Sequence, residues 1–264
     1  MTLNIYFFYL DVMNHVVART LLSAKDPDPV EVAHADSASP VFLLCEHAGR
    51  DIPEALGDLG IAKTILDSHR GWDIGAEALA RKLAERLGAP LVIQRYSRLV
   101  IDCNRPPDSP LSVPLESDHA PVPGNQAASA AERSARVEEI FAPMNAAVGK
   151  LIEGRHAAFS VHSFMPKLDG VTRPWQAGFL SRTDLATARA LCGHVAVARP
   201  DLTLAVNKPY RIEAKSDWFI PAHAEPRGLT HSLIEVRNDQ LGEEAGIALW
   251  ADLLADAIRS VVGI

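Results

Sequence analysis

Two histidines in this chain stand at the ends of apolar runs. His47 follows VFLLC (41–45) and Glu46, and His162 follows AAFSV. Short apolar runs read as buried strands, and open α/β sheets gather their chemistry just beyond the carboxyl ends of strands. Neutral imidazole is the commonest protein ligand for zinc, so two such histidines point to a divalent metal, zinc or another. The Ala48-Gly49 pair leaves space for a ligand beside the first ring. A catalytic site needs a third ligand and an open position for water. Asp73, in HRGWDIGA, is the candidate, although an aspartate at a first helical turn serves equally as an N-cap worth about 1 kcal/mol. His69 competes with it from the same polar segment.

A second cluster holds Arg98, Asp102, Asn104 and Arg105. An Asn-Arg pair offers a planar fork beside an amide, a match for a bound carboxylate. The plainer reading is a surface ion pair from Arg98 or Arg105 to Asp102, which is worth little. A third cluster centres on Glu235, inside the apolar run HSLIEV. Burial raises the pKa of a carboxyl toward neutrality, as a general base that later acts as acid requires. A Glu235–Arg237 pair on a solvated strand face is the alternative, since residues i and i+2 share a face.

The elements that must position these residues alternate along the chain. VFLLC reads as a buried strand, residues 73–87 as a helix stopped by Gly88, and LVIQR and RLVID as two strands or a hairpin. Residues 103–128 are rich in Pro, Ser and Asp and read as a long loop; 129–154 read as a helix opened by a Ser129–Glu132 capping box. AAFSVHS, QAGFL, TLAVN and HSLIEVR read as further strands, 165–176 as a loop, and 184–198 and 243–262 as helices. This alternation predicts α/β architecture: one domain over 40–264 with a mixed, mostly parallel sheet flanked by helices. Residues 1–39 read as a poorly packed extension, and translation beginning at Met13 is compatible with the sequence.

Composition removes several classes of function. A formal charge of −7 gives no electrostatic case for nucleic acid. No stretch approaches the roughly 18 apolar residues of a membrane span, and NIYFFYLDVM lacks the basic flank of a secretory signal. Three scattered cysteines, Cys45, Cys103 and Cys192, predict a reducing cytoplasm rather than a disulfide scaffold. There is no GxSxG elbow, and Cys45 lies in an apolar run where a thiol is inert. No motif specifies an oligomeric state.

CEHAGRDIP, HRGWDIGA, SRLVIDCNRP, VHSFMP followed by RPW, and HSLIEVRND stand in this order between about residues 40 and 260. Together they resemble the N-formylglutamate amidohydrolase family, related in fold to zinc carboxypeptidases and aspartoacylase-type deacylases. The resemblance implies a zinc-carboxypeptidase-like (phosphorylase/hydrolase-like) fold and metal-dependent hydrolysis of an acidic N-acylated amino acid, with a place in histidine degradation. It implies His47 and His162 as histidine ligands, Asp73 as acidic ligand, Asn104 and Arg105 as the carboxylate clamp, and Glu235 as base, with Arg98 as a second electrophile. The chain departs from the carboxypeptidase His-x-x-Glu spacing, because Arg50 stands three residues after His47. Asp67 and His69 therefore stay alternatives to Asp73. A substrate with two carboxylates needs a second cation, for which Arg173 is the candidate; Lys208 and Tyr210 follow a strand and fit either substrate contact or a plain turn.

Overall fold

The computed structural model describes residues 21–264. Seven strands form one sheet: β1 (Val30–Ala33), β2 (Val41–Cys45), β3 (Leu91–Gln94), β4 (Ala157–Phe164), β5 (Ala177–Leu180), β6 (Leu204–Val206) and β7 (Thr230–Arg237). Their order across the sheet is β1-β3-β2-β4-β7-β5-β6. The central four, β3, β2, β4 and β7, run parallel to one another. At the edges, β1 and the β5–β6 pair run the opposite way. Every residue of β2, β3, β4 and β5 is buried, the pattern of strands covered on both faces.

Helices α1 (Ala76–Leu87), α4 (Leu185–Ala198) and α5 (Glu244–Val262) cover one face. The other face packs against Leu99, Val100, Ile101 and the helical stretch α2 (Ala130–Arg136) and α3 (Ala142–Leu151). Helix α1 shows how its sequence does this. Leu79, Leu83 and Leu87 recur every fourth residue, so one stripe is buried, and Gly88 takes the left-handed conformation that ends it. The capping box at Ser129 and Glu132 is present, but a π-helical turn, Val137–Phe141, interrupts the helix that follows.

Three expectations change. RLVID is not a strand: Ser97 accepts a bond from Leu99 N and starts a turn, which buries Leu99, Val100 and Ile101 without any ladder. Residues 21–39 are mostly exposed but are anchored at two points. Strand β1 pairs with β3, and the buried Leu21 and Leu22 donate their backbone N–H groups to the Glu139 carboxylate; the apolar start of the chain and Met13 lie outside the described residues. Residues 103–128 also contain a small hairpin, Glu116–Ser117 with Ala120–Pro121, and a helical turn, Pro123–Gln126. No described helix is long and apolar enough to cross a membrane, and the three cysteines are free.

Candidate active site

Strands β2, β4 and β7 lie side by side, and their carboxyl ends bring His47, His162 and Glu235 together. Glu235 is in register with His162 on one side and Gly178 on the other. Asp73 comes from the turn before α1, held there by its backbone N–H on the His47 carbonyl at 2.8 Å. It is not the helix cap, because α1 begins at Ala76 with no side-chain cap. Its carboxylate points into the cluster instead. Oδ2 accepts from His162 Nδ1 at 2.9 Å and from the Ser163 backbone N–H at 3.2 Å, and Oδ1 accepts from Arg98 Nη2 at 2.5 Å.

One ligand atom each from His47, Asp73 and His162 lie within 4.8 Å of one another, all buried, so the three could hold a metal ion. Two features show that the donor set fits one. The first is the carboxylate behind each ring: His47 Nε2 is hydrogen-bonded to Asp102 Oδ1 at 2.8 Å, and His162 Nε2 lies 3.1 Å from Glu46 Oε2 as an ion pair outside hydrogen-bond geometry. Metal-binding histidines are commonly oriented by a carboxylate on the second nitrogen, which leaves the first for the ion. The second is positive charge already among the ligands. Arg98 Nη2 donates to His47 Nδ1, and an arginine cannot accept, so Nδ1 carries the lone pair and Nε2 the proton. Burial opposes a charge on His162, but Glu46 and Asp73 outweigh it and hold the ring well above its ordinary pKa.

Of the alternative ligands, Asp67 lies apart from this cluster, while His69 stays beside it with a buried Nδ1 that has no hydrogen-bond partner. Asp67 is partly exposed and pairs with Arg50 at 2.9 Å and with Lys63, so its carboxylate serves a surface network. His69 is buried with Nδ1 3.6 Å from Asp73 Oδ1, the oxygen engaged by Arg98. Burial lowers its pKa to about 4, so the ring is neutral.

Glu235 is buried and its Oε2 has no hydrogen-bond partner. Burial is the main reason its pKa rises to about 8, and the Asp73 charge adds to it, while His162 and Arg98 oppose. The Glu235–Arg237 pair does not form: Arg237 turns to Asp239 at 2.8 Å and to the carbonyls of Arg173 and Pro174.

Around this cluster the loops place further cations. Arg105 donates Nη1 to the Ser216 carbonyl at 2.7 Å, and its Nε lies 3.6 Å from Asp102 Oδ2. Asn104 Oδ1 accepts from the Phe219 backbone N–H at 3.3 Å, and the Asn104 carbonyl from Trp218 N–H at 3.0 Å. The pair is thus tied to the 213–219 segment and, through Asp102, to His47. Arg173 is buried, donates to the Tyr210 hydroxyl at 3.0 Å and lies over the Tyr210 and Phe164 rings. Gly178 makes this possible, since a Cβ there would sit 1.7 Å from the Lys208 carbonyl. Gly49 acts likewise: the space expected to receive a ligand is filled by the Arg95 backbone carbonyl.

Glu46 and Asp102 are named in the sequence reading, but their place behind the two histidine rings is not. Glu46 continues the alternation of VFLLC onto the Leu44 face, where Ser160 also donates to it at 2.5 Å. That period-two pattern was the available signal. Asp102 carries no comparable signal, because only the unforeseen turn at Ser97 brings it to His47.

The fold and site define an α/β protein in which two histidines beyond or within strand ends and an aspartate from the turn before α1 could hold a metal ion, with arginines around them. The family model for N-formylglutamate amidohydrolases matches residues 39–241. The chain belongs to that family of amidohydrolases. The gene product Atu2144 of Agrobacterium tumefaciens is 37% identical, with a TM-score of 0.85 over 91% of this chain and 99% of that one. An N-formylglutamate amidohydrolase from Ralstonia eutropha JMP134 shares the fold at 18% identity and a TM-score of 0.65, over 90% of this chain and 98% of its own. A metallo-carboxypeptidase from Burkholderia cenocepacia, at 15% identity and a TM-score of 0.39 over 89% and 65%, is too remote to inform the site. No curated protein sequence matches the chain.

Proposed function

We propose that the protein is a zinc-dependent amidohydrolase that removes the acyl group from an acidic N-acylated amino acid, N-formyl-L-glutamate being the best fit. The observation that carries this is the buried, partnerless Glu235 oxygen opposite His162, in a chain of the amidohydrolase family. A divalent ion held by His47 Nδ1, Asp73 and, once it gives up the proton it shares with Asp73, His162 Nδ1 would supply a Lewis acid for the amide carbonyl and lower the pKa of water toward ~7.

The chain's own residues account for the rest. Glu235, whose ionised form a cation in the cluster would favour against its burial, takes a proton from the attacking water as the carbon–oxygen bond forms, then gives it to the amine nitrogen as the carbon–nitrogen bond breaks. The products are formate and the free amino acid. Arg98 faces the negative charge that develops on the carbonyl oxygen, a role commonly worth roughly 3 kcal/mol for one donor. Asn104 and Arg105 hold one substrate carboxylate and Arg173 the other, so uncharged amides are poor substrates.

The test is hydrolysis by zinc-loaded protein across N-formyl and N-acetyl derivatives of glutamate and aspartate, with Glu235→Gln alongside. Turnover of N-formyl-L-glutamate should fall about 10²–10⁴-fold in the variant, with bound zinc unchanged. Undiminished turnover removes Glu235 as the base. Preference for another acylated amino acid replaces the substrate while leaving the reaction class in place.

A further inference from the structure

Arg98 occupies a position that a bound cation would contest. One of its nitrogens, Nη2, reaches both Asp73 Oδ1, at 2.5 Å, and His47 Nδ1. An imidazole nitrogen has a single in-plane lone pair. Asp102, on Nε2, keeps the His47 proton on the far side of the ring, so that lone pair points into the cluster. His47 Nδ1 can therefore accept the Arg98 N–H or bind an ion, but not both.

The pose is incomplete for Arg98 itself. Its Nε–H is buried with no acceptor, although burial of a donor without a partner is costly. The pose is nevertheless needed by the ligands. Asp73, Asp102 and Glu46 are three carboxylates packed around two rings, and a buried carboxylate that loses its cation is strongly destabilised.

We propose that Arg98 is a stand-in cation. Through Nη2 it holds His47 and Asp73 in a ligand-ready arrangement, and it must leave His47 before an ion can bind there. Released, the guanidinium is free to offer its donors to the substrate oxyanion, the acceptor its Nε–H lacks. Metal loading and arming of Arg98 then become a single event. This inference rests on the metal-dependent reading above.

A site that is competent only when Arg98 has left His47 binds metal with an affinity reduced by that fraction. Removing the guanidinium removes the reduction. Zinc binding to wild type and Arg98→Met, measured by chelator competition, should show the variant tighter by about tenfold or more if the competent fraction is about a tenth. Its metal-free form should melt below wild type, and saturating zinc should narrow that gap.

Wild type that binds zinc while Arg98→Met binds it equally or more weakly overturns the stand-in role and leaves the metal centre standing. Folded wild type and variant that both fail to bind zinc overturn the metal reading, and this inference with it. Should Arg98→Met not fold without metal, the zinc-loaded wild-type structure decides. Arg98 Nη2 beyond hydrogen-bond reach of His47 Nδ1 supports the proposal, and Nη2 still bonded there refutes it.

Discussion

The ligand cluster and the rim of arginines around it are built on different principles. His162 and Glu235 are set by sheet register, one opposite the other on adjacent parallel strands. Each ring nitrogen of His47 and His162 faces a charged or hydrogen-bonding neighbour. Arg105 and Arg173 come from loops, and each is steered by one close donor bond, to the Ser216 carbonyl and to the Tyr210 hydroxyl. His162 and Glu235 cannot move without breaking a ladder, and the His47 and Asp73 turns are tied to each other by the Asp73 N–H on the His47 carbonyl, whereas Arg105 and Arg173 can give way to a ligand. The cluster is suited to hold something small in fixed geometry, and the rim to close on something larger.

The sharpest way to break that division is to disturb the cluster from behind. Asp102→Asn and Glu46→Gln each keep the shape of the group on a ring nitrogen and remove its charge. Each should weaken zinc binding by roughly 10- to 100-fold, read by chelator competition, while the zinc-saturated enzyme keeps a near-normal KM. Unchanged zinc affinity in both would mean that the carboxylates serve folding alone. The rim gives the converse. Arg105→Ala should leave zinc affinity intact and raise KM for carboxylated substrates roughly tenfold or more, since hydrogen bonds to charged groups are worth about 1.5–3 kcal/mol. Equal effects of Arg105→Ala on zinc and on KM would erase the distinction, because Arg105 also approaches Asp102.

The same division explains what could be read from the residues in order. Positions in a strand or just beyond one are marked by period and by run, so His47, His162 and Glu235 are visible as polar residues at the ends of VFLLC, AAFSV and HSLI. Asp73 is half visible: a helix start predicts an acidic residue there, but only the geometry shows the carboxylate turned away from α1. The place of Asp102 is hidden by a turn that a β-branched, apolar RLVID disguises as a strand. The anchoring of 21–39 is hidden for a similar reason, since β1 is a short edge strand of half-exposed residues with weak alternation. Turns and edges are decided by a few hydrogen bonds that leave little trace in composition.

The rim has a foundation of its own, and it should yield to acid. Asn104 is tied to Trp218, whose Nε1 donates to Asn145 Oδ1 at 3.0 Å, and His223 Nε2 meets the same oxygen at 2.7 Å. An amide oxygen only accepts, so His223 carries its proton on Nε2 and presents a bare Nδ1, buried without a partner. Burial, with Arg227 nearby, lowers the pKa of this ring to about 4. In the unfolded chain the ring titrates near 6.5. The stability of this arrangement is complete above that value and is lost as pH falls toward 4, because the unfolded state gains its proton first. His223→Gln keeps an N–H donor but does not titrate. Between pH 7 and 5 the melting temperature of the variant should fall less steeply than that of wild type, by on the order of 1 kcal/mol in stability. The slope should not vanish, because His69 is lowered to about 4 as well. Parallel slopes would show that His223 takes up its proton without disturbing the bond to Asn145, and the rim would then be no more acid-sensitive than the cluster it surrounds.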